Sequence, residues 1–322
     1  MTAVLVTGCL GFIGSHFCKY ILDNTHFDII GFGRNSDQKN IRRLDCCLDN
    51  PRLHLIYGDL SDNNNVSGLT EDVDYIINFA AKTFVDHSIR DPQPFIQSNI
   101  VGTYNLLEEA RRTYVTNKTL KRYIQVSTDE VYGSILEGAY KEDARLNPTN
   151  PYSAAKAAAD MLCISYFNTY SLPIIMTRTE NNYGEYQHPQ KALPKFVKYA
   201  LNHRKLPIYG DGQHKRMWLY VLDHCSAIHH LLTHGKIGEI YHVAGEQELT
   251  NNELARKILK ILDKPEDMIE YIDDHNARPG HDRRYALNTE KLKATGWEPK
   301  YKLDETLEVT VNWYKDNEWW LR

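Results

Sequence analysis

Two stretches of this chain carry residue types that can move protons. The first is Ser127-Thr128-Asp129-Glu130-Val131-Tyr132-Gly133, and the second is Tyr152-Ser153-Ala154-Ala155-Lys156. Between them they supply a hydroxyl, two adjacent carboxylates, a phenol and an amine. Tyr152 and Lys156 stand four apart in a run with Ala154, Ala155, Ala157, Ala158 and Ala159. Alanine favours helix, so phenol and ammonium share one face a turn apart. An ammonium beside a phenol lowers its pKa from the reference of about 10 toward neutrality and makes it a usable base. Taken alone, Tyr-x-x-x-Lys is more often a solvated helix face, and Asp-Glu is as often a charged loop as a functional pair. Their setting decides between the two readings.

That setting is a strand end. Residues 122–127 read as a short buried strand, so Thr128, Asp129 and Glu130 leave its carboxyl end. In an open parallel sheet, ligands bind at that edge. The chain opens with an apolar strand at 3–7, followed by Gly8-Cys9-Leu10-Gly11-Phe12-Ile13-Gly14. Gly8 permits a tight turn, Gly11 lets backbone approach a pyrophosphate, and Gly14 lets helix pack on strand. A helix from 15 to about 24 then aims its positive end at the phosphates.

The second strand, 28–32, ends at Gly33-Arg34-Asn35. NAD-binding folds usually place Asp or Glu here to hold the adenosine ribose. Without the carboxylate, a 2′-phosphate meets no repulsion, and the Arg34 guanidinium can grip it as a fork. The expectation is therefore NADP in preference to NAD, with Arg34 stacked on adenine or solvated as the alternative. Residues 54–60 form a strand ending at Asp59 and Leu60, where the acid can bond the adenine amino group. Residues 75–81 form a fourth strand, with Phe79, Ala80 and Ala81 leaving room for ribose and nicotinamide. A helix from about 94 brings Asn99 and Thr103 near the sheet edge.

The strand–helix alternation runs to about 177 and predicts an α/β fold with a doubly wound parallel sheet. Beyond it, 178–184 and 186–191 read as loop, with a helix from about 194, a strand and turn at 206–212, and helices near 251–262 and 304–317. The division expected is a dinucleotide-binding domain of 1–177 plus about 214–245. A smaller, interleaved mixed α/β substrate domain takes about 178–213 plus 246–322.

With 322 residues and a net charge of -4, the chain has no basic footprint, so nucleic acid is not an expected partner. No run reaches the roughly 18 apolar residues of a membrane span, and the N-terminus reads as a strand rather than a signal peptide. The six cysteines show no metal spacing, and Cys46 and Cys47 are adjacent. Reduced cytoplasmic thiols and no metal site are the simplest reading.

Over nearly its whole length the chain resembles the extended short-chain dehydrogenase/reductases, and among them the dTDP-glucose 4,6-dehydratase family. The resemblance rests on Thr-Gly-x-x-Gly-Phe-Ile-Gly at 7–14, Phe-Ala-Ala at 79–81 and Val-Asp at 85–86. It continues through Ser-Thr-Asp-Glu-Val-Tyr-Gly at 127–133, Asn-Pro-Tyr-Ser-x-x-Lys at 150–156 and Arg-Thr-x-Asn-Asn-Tyr-Gly at 178–184. Tyr-Gly-Asp-Gly at 209–212 and Arg-Pro-Gly-His-Asp-x-Arg-Tyr at 278–285 complete it. It implies a Rossmann-type fold and removal of water from a nucleotide-diphosphate hexose, with a tightly held cofactor regenerated each turnover. By that resemblance Tyr152 takes the proton of the sugar 4-hydroxyl, Lys156 assists it and holds the nicotinamide ribose, and Thr128 bonds the 4-oxygen. Glu130 becomes the base at C5, and a protonated Asp129 the acid for the departing 6-hydroxyl. Like charges in one site push their pKa values apart, which suits one acid and one base. Asn181, Lys191, Arg216 and Arg278 match diphosphate-binding positions, with Tyr209 near the base and His281 in the same motif as Arg278. The helices near 99–112 and 152–170 match those that pair in a homodimer.

The chain also departs from the family pattern. After Phe-Ala-Ala it has Lys82-Thr83-Phe84, where a Glu or Gln, a Ser or Thr and a His are common. It has Glu180 where Cys or Ser is usual, and Met217 where Asp commonly follows the arginine. Lys82, Thr83 and Glu180 fall where the hexose is expected. Lys82 and Glu180 could pair with each other or touch a substituent that glucose lacks. These departures leave three alternatives open: a 5,6-dehydratase making an exocyclic alkene, a 4-epimerase, and a silent nucleotide-binding protein.

Overall fold

The computed structural model describes residues 2–34, 38–273 and 282–322. At its centre is a seven-stranded sheet built from β1 (Ala3–Thr7), β2 (Asp28–Gly33), β3 (Leu53–Tyr57), β4 (Tyr75–Asn78), β5 (Arg122–Thr128), β6 (Ile174–Thr179) and β10 (Ile240–Val243). The strands pair in parallel in the order β10-β6-β5-β4-β1-β2-β3. Chain order reverses between β1 and β4, the crevice where doubly wound sheets take ligands.

Both faces are covered, which explains why Val4, Leu5 and Val6 are all apolar and fully buried. Successive side chains of a strand point to opposite faces, and β1 supplies both layers in this way. Val4 and Val6 pack with Phe17 and Ile21 of helix α1 (Phe12–Asn24) and with Ile228 and Leu231 of the Val221–His234 helix. Leu5 packs on the other face with Leu106 and Leu107 of the Gly102–Asn117 helix and Tyr166 of the Pro151–Tyr170 helix. Arg178 on β6 donates to Asp160 on the latter helix at 2.9 Å. Both side chains are buried, and charges persist there only when paired. The pair fixes the helix carrying Tyr152 and Lys156 against the sheet.

Two smaller sheets complete the fold. One orders β11 (Glu248–Thr250), β9 (Lys215–Tyr220) and β7 (Asn181–Tyr183), and the other pairs β12 (Ile269–Ile272) with β8 (Leu206–Tyr209). The loop expected over 178–184 is instead the end of β6 followed by β7. The pairing that makes β7 a strand is with β9, from Asn181↔Trp218 to Tyr183↔Tyr220, a contact no local window contains. The helix expected from about 94 holds a π-helical stretch, Ile96–Val101, before Gly102–Asn117. Among the described residues no helix is long and apolar enough to cross a membrane.

Candidate active site

The glycine loop is closed too tightly for side chains. Gly8 has φ +70, and a Cβ there would sit 2.8 Å from the Ala80 nitrogen. One on Gly14 would lie 2.3 Å from the Gly8 oxygen. The Gly11 amide donates to the Gly8 carbonyl at 2.8 Å, turning the chain into α1. Helix α1 has no acidic residue in its first turn and no side-chain cap on Gly11. This cradle fits the pyrophosphate of a dinucleotide, whose anion meets amides and the positive helix end. Phe12 and Ile13 are half-buried behind it and pack on the core.

Other contacts hold the loop's surroundings. Arg43, buried, donates to the Leu10 carbonyl at 2.9 Å and the Tyr186 carbonyl at 3.1 Å. Nothing in its sequence context marks it, because both partners are distant in the chain. Thr7 donates to Asn78 at 2.6 Å and Asn78 to Gln125 at 2.9 Å, joining β1, β4 and β5. Asn99 is buried and clamps Lys82, accepting its amide at 2.8 Å and donating to its carbonyl at 3.0 Å. That fixes the path of Phe79, Ala80 and Ala81. Leu60 is buried, with its carbonyl bonded by Asn105 at 2.8 Å.

At the end of β2, Gly33 is followed by an exposed Arg34 whose guanidinium lies 3.5 Å from Asp59. Burial pushes the Asp59 carboxyl up, but bonds from the Ser61 amide and hydroxyl and the Arg34 charge outweigh it and hold it low. Arg34, Ala81, Lys82, Thr83, Phe84 and His87 line a cavity of about 390 Å³ that runs from the end of β2 to the end of β4.

The proton-moving groups converge at the carboxyl end of β5. The helix carrying two of them starts where it does because Asn150 caps it. The Asn150 side chain accepts the Ser153 amide at 3.0 Å, Ser153 Oγ accepts the Asn150 amide at 3.2 Å, and Pro151 takes the first turn. Lys156 Nζ donates to the Val126 carbonyl of β5 at 2.7 Å. Thr128 donates to Asp129 Oδ1 at 3.0 Å, and its hydroxyl accepts the Glu130 amide at 3.4 Å. Burial, with the neighbouring Glu130 charge, pushes the Asp129 carboxyl up to about 7. At neutral pH it therefore retains a proton for much of the time.

Tyr152 is 6% exposed. Burial raises its pKa well above the ordinary phenol value, with Glu130 and Asp129 adding to the rise and a hydrogen bond with Thr128 opposing it. Lys156, expected to bring it toward neutrality, is not among the charges that set it in the chain alone. Lys156 spends a donor on the Val126 carbonyl, and its own pKa is lowered by burial against the pull of Asp160. The carboxylates of Glu130, Asp129 and Asp160, not the ammonium, are the charges that weigh on this phenol.

On the substrate side, Glu180 is buried beside Asp129, and its Oε1 accepts the Leu287 amide at 2.8 Å. Of the two alternatives for Lys82 and Glu180, their pairing is not found among the described residues: Glu180 Oε1 is taken by the Leu287 amide and Oε2 has no partner, while the Lys82 backbone is held by Asn99. Arg216 is buried over the Tyr285 ring, 4.4 Å away, and donates to the Asp282 carbonyl at 2.7 Å. Its charge favours ionisation of both Asp129 and Glu180. Lys191 donates to the Thr83 carbonyl at 3.0 Å and lies over Phe84 at 4.6 Å. One turn on, Lys195 lies 5.8 Å from the Tyr209 ring. Asn181 opens β7 one residue beyond Glu180. Asn35, Arg278 and His281 lie outside the described residues. Tyr285 donates to Asp282 at 2.6 Å, and the Glu130 charge adds to the burial that raises its pKa. Its place in the 278–285 motif was the available signal, but no spacing set it apart from a core tyrosine.

A parallel doubly wound sheet with a dinucleotide cradle, a Tyr-x-x-x-Lys helix and a Thr-Asp-Glu strand end defines an extended short-chain dehydrogenase/reductase built as a hydro-lyase. The profile of the GDP-mannose 4,6 dehydratase family matches residues 5–310, and the chain belongs to that family. It is 44% identical over 311 residues to the low-salt glycan biosynthesis protein Agl12 of Haloferax volcanii, covering 97% of this chain and 98% of that one. It is 40% identical over 324 residues to a dTDP-glucose 4,6-dehydratase of Streptomyces niveus, covering 98% and 94%. The crystal structure of a Bacillus anthracis dTDP-glucose 4,6-dehydratase in complex with NAD superposes with a TM-score of 0.90 at 41% identity, covering 99% of this chain and 98% of that one.

Proposed function

We propose that the protein removes water from a nucleotide-diphosphate hexose of the glucose type, giving a 4-keto-6-deoxy sugar. The observation that carries this reading is the buried Asp129, held near neutrality beside Glu130 and next to Tyr152. An oxidation needs no such pair, whereas an elimination needs an acid and a base together. A bound nicotinamide cofactor supplies a hydride acceptor for C4 and a hydride donor for C6. Tyr152, once ionised, takes the proton of the 4-hydroxyl, with Thr128 and Lys156 beside it; the positive charge that a bound oxidised nicotinamide would bring there would offset the carboxylates that raise its pKa. The 4-ketone acidifies the C5–H bond, Glu130 removes that proton, and Asp129 gives its own to the departing 6-hydroxyl. Glu130 then returns a proton to C5. The balance leaves one proton extra on Tyr152 and one missing from Asp129, and Thr128 touches both.

The deciding experiment is mass spectrometry of the protein with dTDP-, UDP-, GDP- and CDP-hexoses in D₂O, beginning with dTDP-glucose. Loss of one water with one deuterium at C5 is expected. Loss of water with no carbon-bound deuterium would replace this reading with a 5,6-elimination, and no mass change with any sugar would end it.

The cofactor is of the NAD type, and the finer reading is a preference for NADP. Gly33 in place of an acid supports it, as does a cavity lined by both Arg34 and Lys82. Arg34→Ala should weaken NADP at least tenfold more than NAD in binding titrations, since alanine takes a charged fork away from the 2′-phosphate. Equal weakening would show that Arg34 only serves Asp59. We further propose a cytoplasmic homodimer paired through the 96–117 and 151–170 helices, where Ile96, Tyr104, Met161 and Tyr170 are exposed. The two-domain division set out from the sequence is retained as part of this reading.

A further inference from the structure

Glu180 is a buried carboxyl to which the elimination chemistry gives no task. Thr179 is the register partner of Thr128, so Glu180 leaves β6 level with the point where Asp129 leaves β5. The residue is 4% exposed. One oxygen accepts the Leu287 amide, and the other, Oε2, is buried with no hydrogen-bond partner among the described residues. Asp129 Oδ2 is likewise buried and unpartnered. Two carboxyl oxygens on neighbouring strand ends thus lack protein partners, at the edge where the sheet takes its ligands.

The charges around Glu180 come from four elements. Asp129 at the end of β5 and Glu248 on β11 oppose its ionisation, while Arg216 on β9 and the Leu287 amide favour it. Glu248 is itself paired with Arg284 at 2.6 Å. Burial prevails, with any charge on Asp129 adding to it, and holds the carboxyl well above its usual range. With an amide on Oε1, the proton resides on Oε2, which becomes a donor without an acceptor. A buried donor left unpaired is costly, and a ligand oxygen relieves that cost.

We propose that Glu180 is a neutral carboxylic acid that donates a hydrogen bond from Oε2 to an oxygen of the bound hexose, and so selects sugars presenting a hydroxyl or acyl oxygen at that point. The proposal rests on the nucleotide-hexose reading above. It assigns a specificity role to a residue that stands where smaller side chains are usual.

The test compares wild type, Glu180→Gln and Glu180→Ala on the preferred nucleotide hexose and its 2-deoxy and 3-deoxy analogues. Gln keeps a neutral donor of the same size, so kcat/KM should stay within about tenfold of wild type, while Ala should lose about 10- to 100-fold. One deoxy analogue should be rejected by wild type and Gln but not further penalised by Ala. Wild type should also lose kcat/KM at alkaline pH more steeply than Gln, whose amide cannot ionise. If Gln is as poor as Ala, or Ala leaves the ranking of sugars unchanged, the assignment is wrong. Calorimetric binding of the same sugars to the three cofactor-loaded proteins reads the same ranking without turnover. A wild type that binds but never releases water would overturn the dehydratase reading and leave the Glu180 contact to be judged by that ranking.

Discussion

Replacing Glu130 by Gln should abolish deuterium uptake at C5 and lower kcat about 10²- to 10⁴-fold, the usual share of one acid–base group. Replacing Asp129 by Asn should lower kcat by a similar factor while leaving exchange at C5 measurable, because the base and the ketone are still in place. The two variants are distinguished by mass spectrometry in D₂O. Their difference follows from one asymmetry: Asp129 is 3% exposed, whereas Glu130 is half-buried. The pair would not be an acid and a base if both variants lost exchange equally.

Asp129 also ties activity to stability. Its carboxyl is raised from an ordinary 3.8 to about 7, so folding takes up a proton throughout that interval. Below about 4 the group is neutral folded or unfolded and costs nothing. As the pH climbs toward 7 the unfolded chain ionises freely while the folded one does not, and stability falls, by an amount on the order of a few kcal/mol. Above about 7 the loss is complete. Asp129→Asn should therefore melt higher than wild type at pH 8 and about equally at pH 4. A melting difference independent of pH would contradict it. In the wild type, kcat should decline as the pH passes about 7, where the acid loses its proton.

The second large effect is expected at Gly14. A methyl group there would lie 2.3 Å from the Gly8 carbonyl oxygen, which is backbone and cannot swing away. Gly14→Ala must push α1 off the loop, at a cost of about 1–3 kcal/mol for overpacking. It also displaces the amides that meet the pyrophosphate. The purified variant should carry less than a tenth of the wild-type cofactor content, read from absorbance after denaturation, and show a matching loss of activity. Full cofactor content would mean the loop yields elsewhere.

Much of this site was legible in the sequence because its signals are local. Gly8, Gly11 and Gly14 are spaced for a strand–turn–helix. The alanine run places Tyr152 and Lys156 on a helix. An apolar strand followed by Thr128, Asp129 and Glu130 puts hydroxyl and carboxylates at a sheet edge. Each depends on residues within one or two turns of each other, where propensity and spacing act directly.

What distance in the chain concealed, only the tertiary structure decided. β7 is a strand because it lies beside β9, and Arg43 braces the glycine loop from outside it. Lys82 and Glu180 are taken by Asn99 and Leu287 instead of by each other. The protonation pattern belongs here too. The sequence placed Asp129 next to Glu130, but burial by the packed sheet decides that Asp129 keeps its proton and that Tyr152 is pushed up, not down. Residue types and spacing set which groups can act. Their charge states follow from desolvation and from neighbours on other strands, and those exist only once the chain has packed.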